Sequence, residues 1–195
     1  MPLKISLLLA LCAFLVNLPN AASDSPNCGE VVGDNLKSPE WPNMYPHNIE
    51  NCHYSVPIPS GKNMVVYFHF FDLESQSSCI FDRLDISGSH EQFKRCCGVK
   101  TGETYEVSGN YVNLNLKTDY SVAKQGYDLY FIPVDPLPSS ADRKKRTFFK
   151  KKLNINSYDE AQDRRIKDAV KAFVETRGLK RVESESLEDK KPEMI

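Results

Sequence analysis

Glu74, Asp82 and Asp119 are the side chains in this sequence best suited to act as a group. Glu74 and Asp82 lie eight residues apart, on either side of Cys79. The surrounding residue pattern sets Glu74 at the end of one strand, Asp82 at the start of the next and Asp119 at the end of a third. Asp82 alternates onto the face of Leu84 and Ile86, read as the inner face. An unpartnered carboxylate there is costly. A hard cation that takes several oxygen ligands answers that cost, with a carbonyl, a hydroxyl or waters completing the shell. The competing reading is three solvated loop carboxylates, with Asp82 bonded to a backbone amide.

Other chemistry finds no support. His47, His53, His69 and His90 form no His-Glu-x-x-His pair, so no zinc-protease signature exists. Neither a Gly-x-Ser-x-Gly elbow nor a Gly-rich phosphate loop occurs. Nothing local activates Cys96 or Cys97 as a nucleophile. The expectation is a binding protein, not an enzyme.

The elements that must position the carboxylates read as strands. Residues 63–71 (NMVVYFHFF) are rich in β-branched and aromatic side chains. Residues 81–87 alternate, with Leu84 and Ile86 on one face. Residues 111–118 set Val112, Leu114 and Leu116 against Tyr111, Asn113 and Asn115, and residues 126–134 set Tyr127, Leu129 and Phe131 on one side. Turn residues separate these runs at 59–62, 87–89 and 108–110. Period-two patterning over about 105 residues predicts an antiparallel β-sandwich.

The motifs in these runs resemble those of CUB domains. Ser38-Pro39-Glu40-Trp41-Pro42-Asn43-Met44-Tyr45-Pro46-His47-Asn48 is similar to the family's opening, and Cys52-His53-Tyr54 to its Cys-x-aromatic. Phe70-Phe71-Asp72-Leu73-Glu74, Cys79-Ile80-Phe81-Asp82, Cys97-Gly98, Thr118-Asp119-Tyr120-Ser121 and Gly126-Tyr127-x-x-Tyr130 follow in the family's order. The resemblance implies an all-β, jelly-roll-like sandwich over residues 28–134 with disulfides Cys28–Cys52 and Cys79–Cys97. Each bridge stabilises by roughly 3 kcal/mol on loop-entropy grounds. It also implies calcium at Glu74, Asp82 and Asp119, as in the calcium-binding subset of the family. Ser121 would contribute an oxygen and Tyr45 would support the site, while Val122 replaces the frequent Asn. In that subset the ion-bound carboxylates receive a Lys or Arg from a partner protein.

The ends of the chain carry different signals. Met1-Pro2-Leu3-Lys4, the apolar run from Ile5 to Val16 and the small residues up to Ala22 predict a signal peptide over residues 1–22. The run is too short to span a membrane. Secretion places Cys28, Cys52, Cys79, Cys96 and Cys97 in an oxidising compartment. Five is odd, so one thiol is left over. Cys96 reads either as a buried thiol or as the source of an interchain disulfide and hence a linked dimer; its pairing with Cys79 in place of Cys97 is a third option.

Residues 135–195 read as a linker followed by a partly helical, partly disordered tail. Arg143-Lys144-Lys145-Arg146 matches the motif cut by furin-like convertases. Residues 147–152 (TFFKKK) suit contact with polyanions or membrane surfaces. Residues 157–177 carry a helical apolar stripe, with Ser157 as expected cap and Gly178 as stop. Such a helix alone is marginal in water unless it packs on something.

Charge divides along the same line. The chain of 195 residues has a net charge of −1. Residues 23–135 hold 8 basic and 15 acidic side chains, whereas residues 136–195 hold 16 and 11. An acidic body and a basic tail do not describe a nucleic-acid binder. The reading is a secreted, extracellular, calcium-organised module that recognises exposed Lys or Arg on a protein partner. The second reading is a precursor whose CUB domain precedes a convertase-released basic amphipathic peptide acting as signal or toxin.

Overall fold

The computed structural model of the protein describes residues 28–88, 92–137 and 156–180. The expected signal peptide, the Arg143–Arg146 motif, the 147–152 segment and residues 181–195 lie outside them.

Nine strands are described: β1 (Val31–Val32), β2 (Asn35–Lys37), β3 (Cys52–Pro57), β4 (Asn63–Asp72), β5 (Arg83–Ser87), β6 (Phe93–Cys96), β7 (Thr104–Val107), β8 (Tyr111–Lys117) and β9 (Gly126–Val134). They form two antiparallel sheets, ordered β1-β2-β9-β4-β7 and β3-β8-β5-β6. Alternation places the core between the sheets. Cys52, Tyr54 and Val56 of β3, Leu84 and Ile86 of β5, and Val112, Leu114 and Leu116 of β8 face inward from one side. Met64, Val66, Phe68 and Phe71 of β4 and Tyr127, Leu129 and Phe131 of β9 meet them from the other. The change of parity between Phe68 and Phe71 is a bulge: the β4–β9 register shifts between Phe68 and Phe70, leaving His69 as the extra residue.

Two expected strands are shorter than the alternation suggested. The run from Phe81 enters its ladder only at Arg83, because Cys79 adopts φ 47° and the Arg83 Nη1 donates to the carbonyls of Ile80 and Phe81. Thr118 leaves β8, where its hydroxyl accepts from the Ile49 N–H at 2.9 Å and donates to the Pro46 carbonyl at 2.9 Å. Cys28–Cys52 ties the N-terminal segment to β3, and Cys79–Cys97 ties the turn before β5 to the end of β6.

The second face of the five-stranded sheet is covered as well. Helix α1 (Asn156–Arg177) covers the span where the apolar stripe was expected. Ile166, Ala169, Val170, Phe173, Val174 and Leu179 pack on Val65, Tyr67, Tyr130, Ile132 and Val134. Both faces of β9 are therefore buried, where sequence pattern assigned one. Gly178, at φ 61°, ends the helix: its N–H reaches the Glu175 carbonyl and the Leu179 N–H reaches that of Val174. This is a Schellman turn, in which a left-handed residue lets two orphan carbonyls be satisfied.

Candidate metal centre

The three carboxylates come from both sheets and meet at one end of the sandwich. Glu74 follows β4, Asp82 immediately precedes β5 and Asp119 follows β8. One oxygen from each lies within 4.8 Å of the other two. Asp82 is 1% exposed. Its Oδ2 accepts from the Tyr45 hydroxyl at 2.7 Å and its Oδ1 from the Asp119 N–H at 2.7 Å. The backbone-amide bond of the competing reading is thus present, but it holds Asp82 against the other two carboxylates instead of isolating it.

Tyr45 links the parts. Its hydroxyl also accepts from the Glu74 N–H at 3.1 Å, so one buried phenol fixes Glu74 and Asp82 together. Burial, reinforced by the bond to Asp82, pushes the Tyr45 phenol above its ordinary range and keeps it a donor. Gly126 makes room for this. It has φ +94°, and a Cβ there would meet the Ser38 Oγ at 2.0 Å and the Tyr45 ring at 3.4 Å. Ser38 in turn exchanges bonds with the Tyr127 backbone at 2.9 and 3.0 Å. Asp119 is held by its own turn: its Oδ1 accepts from the Ser121 N–H at 2.7 Å and the Ser121 hydroxyl at 2.9 Å. Ser121 therefore sits beside the group, with hydroxyl lone pairs still to offer.

Positive charge at the site is scarce: Lys124 offsets only part of the shift of Glu74. Burial, followed by repulsion from Asp82 and Asp119, raises the Glu74 carboxyl above its usual range. Burial likewise raises Asp82, although the bonds from Tyr45 and Asp119 oppose the shift. Glu74 Oε2 is buried and accepts no hydrogen bond. Among the described residues, no Lys or Arg forms an ion pair with any of the three. A hard cation with oxygen ligands matches this donor set: it supplies the missing charge and a partner for the orphaned oxygen.

Sequence reasoning passed over the rim. Met44, Ile80, Phe81, Tyr120 and Val122 are exposed large apolar residues, and each adjoins a site residue in sequence or lies within two of one. The available signal was apolar side chains at turn positions that the core did not need. Cys96 takes the opposite place. It is fully buried in the core as a free thiol, and burial pushes it up to about 11. A partner sulfur reaches it only if the sandwich opens, so the interchain-bridge reading is set aside, as is pairing with Cys79, which bonds to Cys97.

The sandwich, the two bridges and the carboxylate cluster are what the sequence motifs implied, and the family model for the CUB domain matches residues 28–131. The chain belongs to the CUB domain family. Its CUB domain is similar to procollagen C-endopeptidase enhancer 1 of Homo sapiens, at 33% identity over 138 residues covering 64% of this chain and 30% of the relative. It is also similar to adhesion G-protein coupled receptor G6 of Danio rerio, at 26% identity over 130 residues covering 65% of this chain and 11% of the receptor. The solved extracellular region of the zebrafish receptor superposes with a TM-score of 0.50 at 28% identity, over 56% of this chain and 15% of that structure. The chain therefore spans a third or less of these relatives, and what they share with it is the CUB module. Among the described residues, no helix is long and apolar enough to cross a membrane.

Proposed function

We propose that this chain is a secreted, extracellular protein-binding module whose CUB domain is organised by calcium and recognises a basic side chain on its partner. Glu74, Asp82 and Asp119 hold the ion, Ser121 adds its hydroxyl, and Tyr45 positions two of the carboxylates. The observation that carries this reading is the convergence of three carboxylates within 4.8 Å with a buried, unpartnered Glu74 Oε2 and, among the described residues, no Lys or Arg in an ion pair with them. The ion ties the ends of β4, β5 and β8 together. Carboxylate oxygens left on its outer side then form charge-assisted hydrogen bonds with a Lys or Arg. The exposed apolar rim favours a partner whose basic residue is flanked by apolar side chains, since rim burial excludes water around the charged contact. Secretion is supported by the residue 1–22 pattern and by two disulfides, which persist outside reducing compartments.

The test is surface plasmon resonance against an immobilised peptide with one Lys between apolar residues, beside the same peptide with Gln at that position. Binding to the Lys peptide in calcium is expected, lost with chelator and lost in Asp119→Ala. Equal binding to both peptides, or binding indifferent to calcium, overturns the reading.

The precursor reading has no comparable support for a freely presented peptide. The amphipathic segment of the tail is seated on the five-stranded sheet through six apolar side chains.

A further inference from the structure

Helix α1 covers its sheet in a defined way. Its apolar contacts Ile166, Ala169, Val170, Phe173 and Val174 stand at intervals of three, four, seven and eight residues, one continuous stripe of a helix. Phe173 meets the Tyr130 ring at 5.4 Å between centroids. A basic side chain flanks the stripe at each end. The Arg165 Nη2 donates to both carboxylate oxygens of Glu106, at 2.7 and 2.6 Å, and Glu106 also accepts from Asn63 at 2.7 Å and Gln162 at 3.2 Å. The Arg177 guanidinium bonds Asp34 and lies 5.3 Å from the Phe173 ring centroid.

The two acidic partners stand on opposite sides of the central strands β9 and β4. Glu106 is on the edge strand β7, and Asp34 leads from the β1–β2 turn into β2, where its carbonyl accepts from the Phe131 N–H of β9. From β2 to β7 there are three inter-strand gaps of about 4.8 Å, about 14 Å in all. Arg165 and Arg177 are twelve residues apart, which along a helix is about 18 Å. The arginines thus stand a few ångströms wider apart than the strands between their partners, a difference their long side chains span, and the helix crosses the strands with a charge clamp on each side.

We infer that the outer face of the five-stranded sheet is a binding site for an amphipathic helix carrying arginines about 18 Å apart, and that α1 is its ligand, held by these contacts and not by its covalent connection. It follows that a cut between Leu137 and Asn156, at the Arg143–Arg146 motif among other places, leaves a two-chain non-covalent complex and no free peptide. This goes beyond the calcium reading and shares no residue with it.

The experiment inserts a site-specific protease sequence after Ala141 in the full chain and compares size-exclusion profiles before and after cutting, at micromolar protein. Co-elution of the C-terminal piece with the body is expected for the cut wild type. Phe173→Asp is expected to weaken retention about 10- to 100-fold and to separate the pieces. Arg165→Glu alone loosens the complex, and Arg165→Glu with Glu106→Arg restores it, a rescue that a misfolded variant does not give. Separation of the cut wild-type pieces overturns the inference. So does undiminished co-elution of Phe173→Asp, or failure of the paired charge exchange to restore binding.

Discussion

The two acidic regions of this CUB domain differ in where their positive charge comes from. On the outer face of the five-stranded sheet, Glu106 and Asp34 each receive an arginine of the same chain. At the end of the sandwich, Asp82 and Asp119 receive hydrogen bonds, and none of Glu74, Asp82 and Asp119 is in an ion pair with a described Lys or Arg. The first region is electrostatically closed and reads as intrachain docking. The second is open, and like charges around the buried Asp82 are what the proposed cation would offset.

The carboxylate centre carries the largest expected effect. Replacing Cys79 and Cys97 together by Ala frees the turn that delivers Asp82, and by loop entropy should cost about 3 kcal/mol. Differential scanning calorimetry should show a lower melting temperature and the loss of any calcium response, while α1 keeps its amide protection. The helix side breaks separately. Phe173→Ala should cost about 2 kcal/mol, read by hydrogen exchange as faster exchange of α1 amides, with the calcium response of the sandwich unchanged. A variant that alters both regions at once would contradict their independence.

Smaller effects sharpen the contrast. Glu74→Gln removes a repelled carboxylate, so in chelator it should raise stability slightly, yet the calcium-induced rise in melting temperature should shrink. The same group predicts a pH dependence. Raised carboxyls bind more protons folded than unfolded across the window between the unfolded and the folded pKa. Stability contributed by this site therefore falls as pH rises through that window and recovers on acidification back towards about 4.5. In calcium the sign reverses, because acid then displaces the ion. The difference between wild type and Glu74→Gln, melted in chelator across this range, isolates the effect. Least of all, Cys96 should resist alkylation in the native protein and react once on unfolding, since its thiol is buried and raised.

Much of this was legible in sequence, for identifiable reasons. β8 alternates cleanly because one face meets the core and the other meets solvent. Asp82 announced itself by falling on the apolar face of Leu84 and Ile86. The second buried face of β9 was not legible, because what covers Tyr130, Ile132 and Val134 is a set of helix side chains more than thirty residues later. The β4 bulge at His69 hid within an unbroken apolar run that carries no period to interrupt. The Glu106–Arg165 contact joins residues 59 apart, and nothing local in either marks the other. The support of the centre by Gly126 and Ser38 depends on a close approach of backbones, which a sequence shows only as a glycine beside a strand.

The most direct test of the central claim is the melting temperature of the wild-type chain at neutral pH in calcium, in the same concentration of magnesium, and in chelator. An ion held at a hundred times its dissociation constant adds about 2.7 kcal/mol, a rise of several degrees in a domain of this size. The expected result is that rise in calcium, little or none in magnesium, and its abolition in Asp119→Ala. A wild-type melting temperature identical in calcium and in chelator would contradict the account.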